Sequence, residues 1–230
     1  MLTKFRMVLL IICVGIISGV CATFLGLLLK FIQHHAFGYS LQNLTGDENF
    51  LAGVISASST RRLVIVLFAG GIAALGWWLL AHRGKKLIAI AEEVKSPQRL
   101  MTFKSSISNI LLQIITVAMG SPLGREVAPR ELAVLANSFL LRKLNISQED
   151  CRYLLGCAAG AGLAAIYNVP LSGALFVLEG VLKNFQPKLV FYAMLSCSIA
   201  PIISWLGLGD HLPYELPRLI FNSNLFFWSL

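Results

Sequence analysis

The chain has 230 residues, a formal net charge of +8, and a composition of 57% hydrophobic but only 13% charged residues. Since a soluble domain carries about 25% charged residues, this composition excludes an ordinary soluble protein and favours an integral membrane protein in a lipid bilayer. The basic residues lie at the ends of apolar segments and are not interleaved with stacking aromatic residues, so we expect no nucleic-acid partner. The cysteine spacing fits no zinc site, and we expect neither a metal nor a cofactor.

Two long apolar segments predict membrane-spanning helices. Residues 7–29 and 63–81 contain no charged side chain, and roughly 20 apolar residues suffice to cross a hydrocarbon core ~30 Å thick. The first segment exceeds the apolar region of a signal peptide, which is about 7–15 residues long, so we interpret it as a retained span. Lys4 and Arg6 precede it and Arg83 follows the second segment, which places both outer ends in the cytoplasm by the positive-inside rule.

The later apolar segments are shorter and are interrupted by glycine and proline. Helices are predicted over residues 87–95, 102–119 and 127–141. A Gly/Ala-rich helix follows, capped by Ser147 and Asp150 and continuing through Ile166. Another helix starts at Pro170, and the last one covers residues 188–206. Short, broken apolar segments are typical of transporters whose half-helices meet inside the membrane. We therefore predict one all-α integral membrane domain over residues 1–230, with about eight helical segments that include tilted and half-spanning helices.

A cluster of charged residues interrupts this apolar sequence. Residues 120–132 read GSPLGREVAPREL, and the residues on both sides, 107–119 and 132–141, carry no charge. Ionisable residues at membrane depth are costly and mark ion or substrate paths. A helix that starts near Glu126 would aim unpaired N–H groups at an anion, and the Glu126 carboxylate would compete for the same groups. The alternative is a solvent-exposed turn in which the charges pair with one another.

Two motifs resemble those of one transporter family. The first motif, LGREVAP at residues 123–129, looks like the GREGP signature of the CLC chloride channels and proton/chloride antiporters. The second motif, at residues 158–179, looks like the Gly/Ala-rich helix, N-x-P break and following helix of that family; it reads AAGAGLAAIYNVPLSGALFVLE. The resemblance implies a fold like the first inverted repeat of a CLC transporter and the transport of chloride or a related anion, with protons as a possible second substrate. It implies no enzyme activity and no catalytic residue.

The resemblance also assigns roles to residues. Glu126 corresponds to the gating glutamate, and the anion would be bound at Gly124, Arg125 and the backbone of Val127 and Ala128. The family forms homodimers, with the helices near residues 170–182 and 188–206 at the subunit interface. The absence of soluble regulatory domains favours a bacterial inner membrane.

The chain departs from the family pattern at four places. GREGP is replaced by GREVAP, and the expected serine-containing anion loop is replaced by GKKLIA at residues 84–89. Where antiporters carry two glutamates this chain has Glu179 and Gly180, so Glu179 either serves the proton route or pairs with Lys183 at i,i+4 spacing. Nothing resembles the second half of the family, so we expect an N-terminal half. The alternative function is therefore a split or truncated product that does not transport alone. Such a product is either a non-conducting membrane protein or a half that needs a separately encoded C-terminal half.

Overall fold

The computed structural model describes residues 4–38, 50–97, 101–144 and 146–209, and within them every regular element is a helix. Three helices are long and apolar enough to cross a membrane: α1 (Lys4–Phe37), α3 (Ser59–Arg83) and α9 (Pro187–Leu208). These confirm the predicted spans. With 34 residues, α1 is about 51 Å long at 1.5 Å per residue, so it tilts or extends beyond the hydrocarbon core.

The remaining helices are shorter. They are α2 (Phe50–Ser56), α4 (Ile90–Lys95), α5 (Phe103–Ala118), α6 (Val127–Arg142), α7 (Gln148–Tyr167) and α8 (Pro170–Leu175). The predicted helices over 102–119 and 127–141 agree with α5 and α6, whereas the helix predicted over 87–95 begins only at Ile90. The sequence did not predict α2. Nine α-helices in the described part of the chain are close to the eight segments expected.

The first turn of α3 is fastened to the end of α1. The Arg61 guanidinium donates from Nε to the carbonyl oxygen of Ala36 at 2.8 Å and from a terminal nitrogen to that of His35 at 3.0 Å. The last carbonyl groups of a helix have no partner within the helix and carry the negative end of its dipole. Arg61 therefore satisfies the end of α1 and fixes its position against α3.

The Gly/Ala-rich helix α7 lies at the centre of the fold, packed against α1, α6, α8 and α9. A Cβ atom at Gly160 would lie 2.6 Å from the carbonyl oxygen of Gly173 in α8, and one at Gly162 would lie 2.6 Å from the carbonyl oxygen of Pro129 in α6. The backbones are thus in direct contact at both crossings, as expected for membrane helices that pack through small residues. Ser147 caps α7 as predicted, since its hydroxyl accepts from the Asp150 N–H at 3.1 Å.

The chain after α7 changes helix type. Asn168 is in the left-handed conformation with φ 56°, which ends α7 and allows Pro170 to start α8. From Phe176 to Leu182 the helix continues as a π-helix and ends at Lys183, which has φ 51°. The α-helical i,i+4 spacing between Glu179 and Lys183 is therefore lost, and no ion pair joins them among the described residues.

Helix α4 buries a glutamate. The Glu93 side chain has no exposed surface, its Oε2 accepts from the Met101 N–H at 3.2 Å, and its buried Oε1 has no hydrogen-bond partner among the described residues. Burial raises the pKa of Glu93 to about 7, against the smaller opposing effects of the Arg142 charge and the Met101 N–H. The fold therefore favours the protonated form of this side chain.

Candidate functional site: the N-terminus of α6

The loop between α5 and α6 is set by a left-handed glycine. Gly120 has φ 93°, the Gly120 N–H donates to the carbonyl of Val117 at 3.0 Å, and the Ser121 N–H donates to that of Thr116 at 3.1 Å. These two bonds form a Schellman motif, which ends α5 and turns the chain back sharply. The turn brings residues 121–126 to the end of α7.

The N-terminus of α6 offers backbone donors to an anion. Helix α6 starts at Val127, with Glu126 at the N-cap, and the first N–H groups of a helix have no partner within it. Pro129 lacks an N–H group, so the donors are the N–H groups of Glu126, Val127 and Ala128. With the positive end of the helix dipole, these groups suit a bound anion.

The Glu126 carboxylate does not occupy this position in the structure. Its side chain forms no capping hydrogen bond to α6. Instead the Tyr167 hydroxyl, at the end of α7, donates to Glu126 Oε2 at 3.2 Å, and a Cβ atom at Gly124 would overlap both carboxylate oxygens. The missing side chain of Gly124 thus makes room for the carboxylate, and Tyr167 holds it away from the N–H groups of Val127 and Ala128.

Two arginines border the site. The Arg125 guanidinium lies 5.2 Å from the centre of the Tyr167 ring, in the range of a cation–π contact. Arg130 donates from Nε to the Glu126 carbonyl oxygen at 2.9 Å, and its guanidinium lies 4.9 Å from the ring centre of Phe176. Both cations are therefore held on aromatic rings beside the start of α6, where their positive charge attracts an anion or a carboxylate.

A cavity of about 310 Å³ opens onto the loop and Tyr167. Its lining includes Leu29, Gln33, Ser121, Gly124, Arg125 and Tyr167. Of the residues predicted to form the site, Gly124 and Arg125 line this cavity, whereas Glu126, Val127 and Ala128 follow directly along the chain and are not part of the lining. Glu179 is exposed and does not line the cavity.

Tyr167 was not predicted as a site residue. Forty-one positions separate it from Glu126, and only the fold brings the two together. The available signal was a hydroxyl group directly after the apolar, Gly/Ala-rich part of α7, residues 154–166, and directly before the Asn-Val-Pro break.

The family can be assigned once this geometry is known. A family model described as voltage gated chloride channel matches residues 65–230, which is more than half of the chain. The chain belongs to the voltage-gated chloride channel (CLC) family. The resemblance of the two motifs is thereby confirmed, and with three apolar spans this CLC family member is a multi-pass membrane protein.

Several bacterial CLC proteins are similar to the chain. The voltage-gated ClC-type chloride channel ClcB of Shigella flexneri is 28% identical over 164 residues, which cover 70% of this chain and 37% of the relative. ClcB of Escherichia coli O81 (strain ED1a) is 27% identical over 190 residues, which cover 79% of this chain and 43% of the relative. The CLC chain described here therefore spans less than half the length of these curated relatives.

Proposed function

We propose that this chain forms the N-terminal half of a chloride-conducting CLC-type pathway in which Glu126 is the gate. The observation that carries the proposal is the position of the Glu126 carboxylate, bonded to Tyr167 beside a helix N-terminus whose first N–H groups have no partner within the helix. In this position an anion can bind to the N–H groups of Val127 and Ala128. When the carboxylate rotates back to α6, it competes with the anion and closes the path.

The proposed gate responds to pH. A protonated Glu126 has no charge to attract it to the positive end of α6, so acid favours the open position. We expect Glu126→Gln to make anion flux independent of pH, because the neutral side chain mimics the protonated gate at every pH. The measurement is chloride efflux from proteoliposomes at several pH values, with Glu92→Gln as control, since Glu92 is an exposed carboxylate. Unchanged pH dependence in Glu126→Gln would remove the gating role.

The proposed assembly is a homodimer in a bacterial inner membrane. Helices α8 and α9, which the family resemblance places at the subunit interface, expose the large apolar side chains of Leu171, Phe191, Ile202 and Leu206. Proton exchange with chloride is part of the proposal, with Glu126 as one proton carrier. Glu179 is the other candidate named by the sequence, and its exposure suits a group in contact with water.

A second candidate function follows from the share of the relatives that the chain covers, 37% to 43%. In this case the chain is a half-transporter that conducts only with a separately encoded second half. Reconstitution of the chain alone, and together with the polypeptide encoded directly downstream, shows whether the chain conducts chloride without a second half. Flux from the chain alone contradicts the half-transporter, and flux that requires both polypeptides supports it.

A further inference from the structure

A second, half-buried carboxylate lies between α5 and α6, away from the proposed gate. Glu131 is on α6, five residues after Glu126, which is about 7.5 Å along the helix axis. Its Oε2 accepts from Asn109 Nδ2 at 2.9 Å and from Gln113 Nε2 at 3.2 Å, both on α5. Asn109 and Gln113 are four residues apart and therefore share one face of that helix.

A tryptophan of α3 fixes the orientation of this cluster. Trp77 donates from Nε1 to Asn109 Oδ1 at 2.9 Å. Since an indole N–H only donates, Asn109 must present its oxygen to Trp77 and its NH₂ group to Glu131. Asn109 is itself only 7% exposed. Three helices thus supply a connected chain of hydrogen bonds that ends on one oxygen of Glu131.

No cation is paired with this carboxylate among the described residues. Arg130, the charged residue that acts on Glu131, directs its Nε to the Glu126 carbonyl oxygen. The face of α5 that meets Glu131 presents the neutral side chains of Asn109 and Gln113, and Trp77 of α3, which donates to Asn109, is neutral as well. Besides Arg130, which acts on Glu131, the charged residues of the helices packed against α6 lie within about two turns of the helix ends: Lys104 of α5, Glu149, Asp150 and Arg152 of α7, Glu92, Glu93 and Lys95 of α4, and Arg6 and Lys30 of α1. Helix α3, which packs against α5, carries Arg61, Arg62, His82 and Arg83 in its end turns.

The hydrogen-bond pattern suits both protonation states of Glu131. Both amide donors reach Oε2, and Oε1 accepts no hydrogen bond from the described residues. A proton that binds to Oε1 forms one O–H bond and leaves both amide bonds in place, because Oε2 is then the carbonyl oxygen of the acid. Uptake and release need no rearrangement of α5. An ionisable group inside a membrane protein is by default a functional group, and this one has an oxygen available for a proton.

We propose that Glu131 is a proton-binding site of this CLC chain, separate from Glu126 and located about 1.4 helical turns further along α6. The carboxylate takes a proton from water at Oε1 and returns it to water. The role of this proton in transport rests on the proposed function, but the binding of the proton does not. If Glu131 is only a structural hydrogen-bond acceptor between helices, it stays ionised over the whole range from pH 4 to pH 10 in which proton binding is measured.

Infrared spectroscopy of the purified chain in lipid tests proton binding directly. In the difference spectrum, parent chain minus Glu131→Gln, we expect the C=O band of one protonated carboxylic acid that disappears as the pH is raised from 4 to 10; the bands of the other carboxylic acids, Glu93 among them, are common to both proteins and cancel. The band should persist in Glu126→Gln and in Glu92→Gln, which remove one carboxylate each. A spectrum of Glu131→Gln that matches the parent chain at every pH overturns the proposal.

A second variant tests the hydrogen bonds without removing the carboxylate. Gln113→Leu deletes one donor to the ionised form, so we expect the midpoint of the Glu131 band to move up by about one pH unit. Gln113 is half-buried, and leucine has a similar size. A Glu131 band whose midpoint does not move contradicts the assigned site.

Transport is measured separately, so that the two proposals fail independently. In proteoliposomes that conduct chloride, we expect Glu131→Gln to reduce the protons moved per chloride at least tenfold while chloride flux continues. If no variant conducts, the proposed function fails and the infrared result still decides proton binding. Unchanged proton movement in a conducting Glu131→Gln protein overturns the transport role of this site.

Discussion

Replacing Glu93 with Gln should remove much of the pH dependence of the stability of this chain. In the folded state burial raises the pKa of Glu93 to about 7 from an ordinary value of 4.5. The folded state therefore binds more protons than the unfolded state between these values, so the free energy of unfolding falls as the pH rises through this range. Glutamine carries no charge and avoids this penalty.

The magnitude follows from the two pKa values. Complete ionisation of a group whose pKa rises from 4.5 to about 7 costs roughly 3 kcal/mol at about 1.4 kcal/mol per unit. Over a practical range, from pH 5 to pH 8, linkage gives a loss of about 2.5 kcal/mol. We expect the parent chain to lose this much stability over that range and Glu93→Gln to lose little.

The assay is thermal or denaturant unfolding of the purified chain in detergent at pH 5, 6, 7 and 8. Glu92→Gln is the matched control, because Glu92 is the neighbouring residue of α4 and its side chain is exposed. It should retain the pH dependence of the parent. If Glu93→Gln and Glu92→Gln show the same slope against pH, the buried Glu93 carboxyl is not the origin of the effect.

Two further predictions concern the proposed gate and the centre of the fold. Tyr167→Phe removes the donor that holds Glu126 away from α6. Because a hydrogen bond to a charged group is worth about 1.5 kcal/mol, we expect the chloride affinity measured by calorimetry to fall about tenfold. The same substitution in the Glu126→Gln background should leave the chloride affinity unchanged. Gly160→Ala should destabilise the chain by about 1–3 kcal/mol in denaturant unfolding, because the added methyl group would lie 2.6 Å from the Gly173 carbonyl oxygen. Gly70→Ala, where no atom lies within 4 Å, should not destabilise it; equal losses in the two variants would contradict the steric explanation.

Features of the fold that depend on neighbouring residues were predictable from the sequence. The apolar spans follow from length and composition, and the cap of α7 follows from Ser147 and Asp150 three residues apart. The start of α6 follows from the glycine before it. The π-helix at residues 176–182 was not predictable, because its sequence has the composition of an ordinary apolar α-helix and only packing selects the wider turn.

The candidate site was predictable only in part, for the same reason. Glu126 could be proposed from its position before an apolar helix. Its position against Tyr167 could not, because that contact depends on how α7 lies against α6. The hydrogen-bond partners of Glu131 lie 22 and 18 positions before it in the chain. These contacts likewise depend on the packing of α5 against α6.

The contact of α7 with its neighbours through backbone atoms limits how the proposed gate can move. A methyl group added at Gly160 or Gly162 would lie 2.6 Å from a backbone carbonyl oxygen of the neighbouring helix. The backbones of α6, α7 and α8 are therefore packed too closely for these helices to slide or rotate past one another. In the proposed mechanism, opening and closing are therefore rotations of the Glu126 side chain about its own bonds, while the helices around it stay in place. Such rotations are intrinsically rapid, on a scale of picoseconds to nanoseconds, so spin labels on α6 and α7 should report one unchanged distance in the presence and absence of chloride.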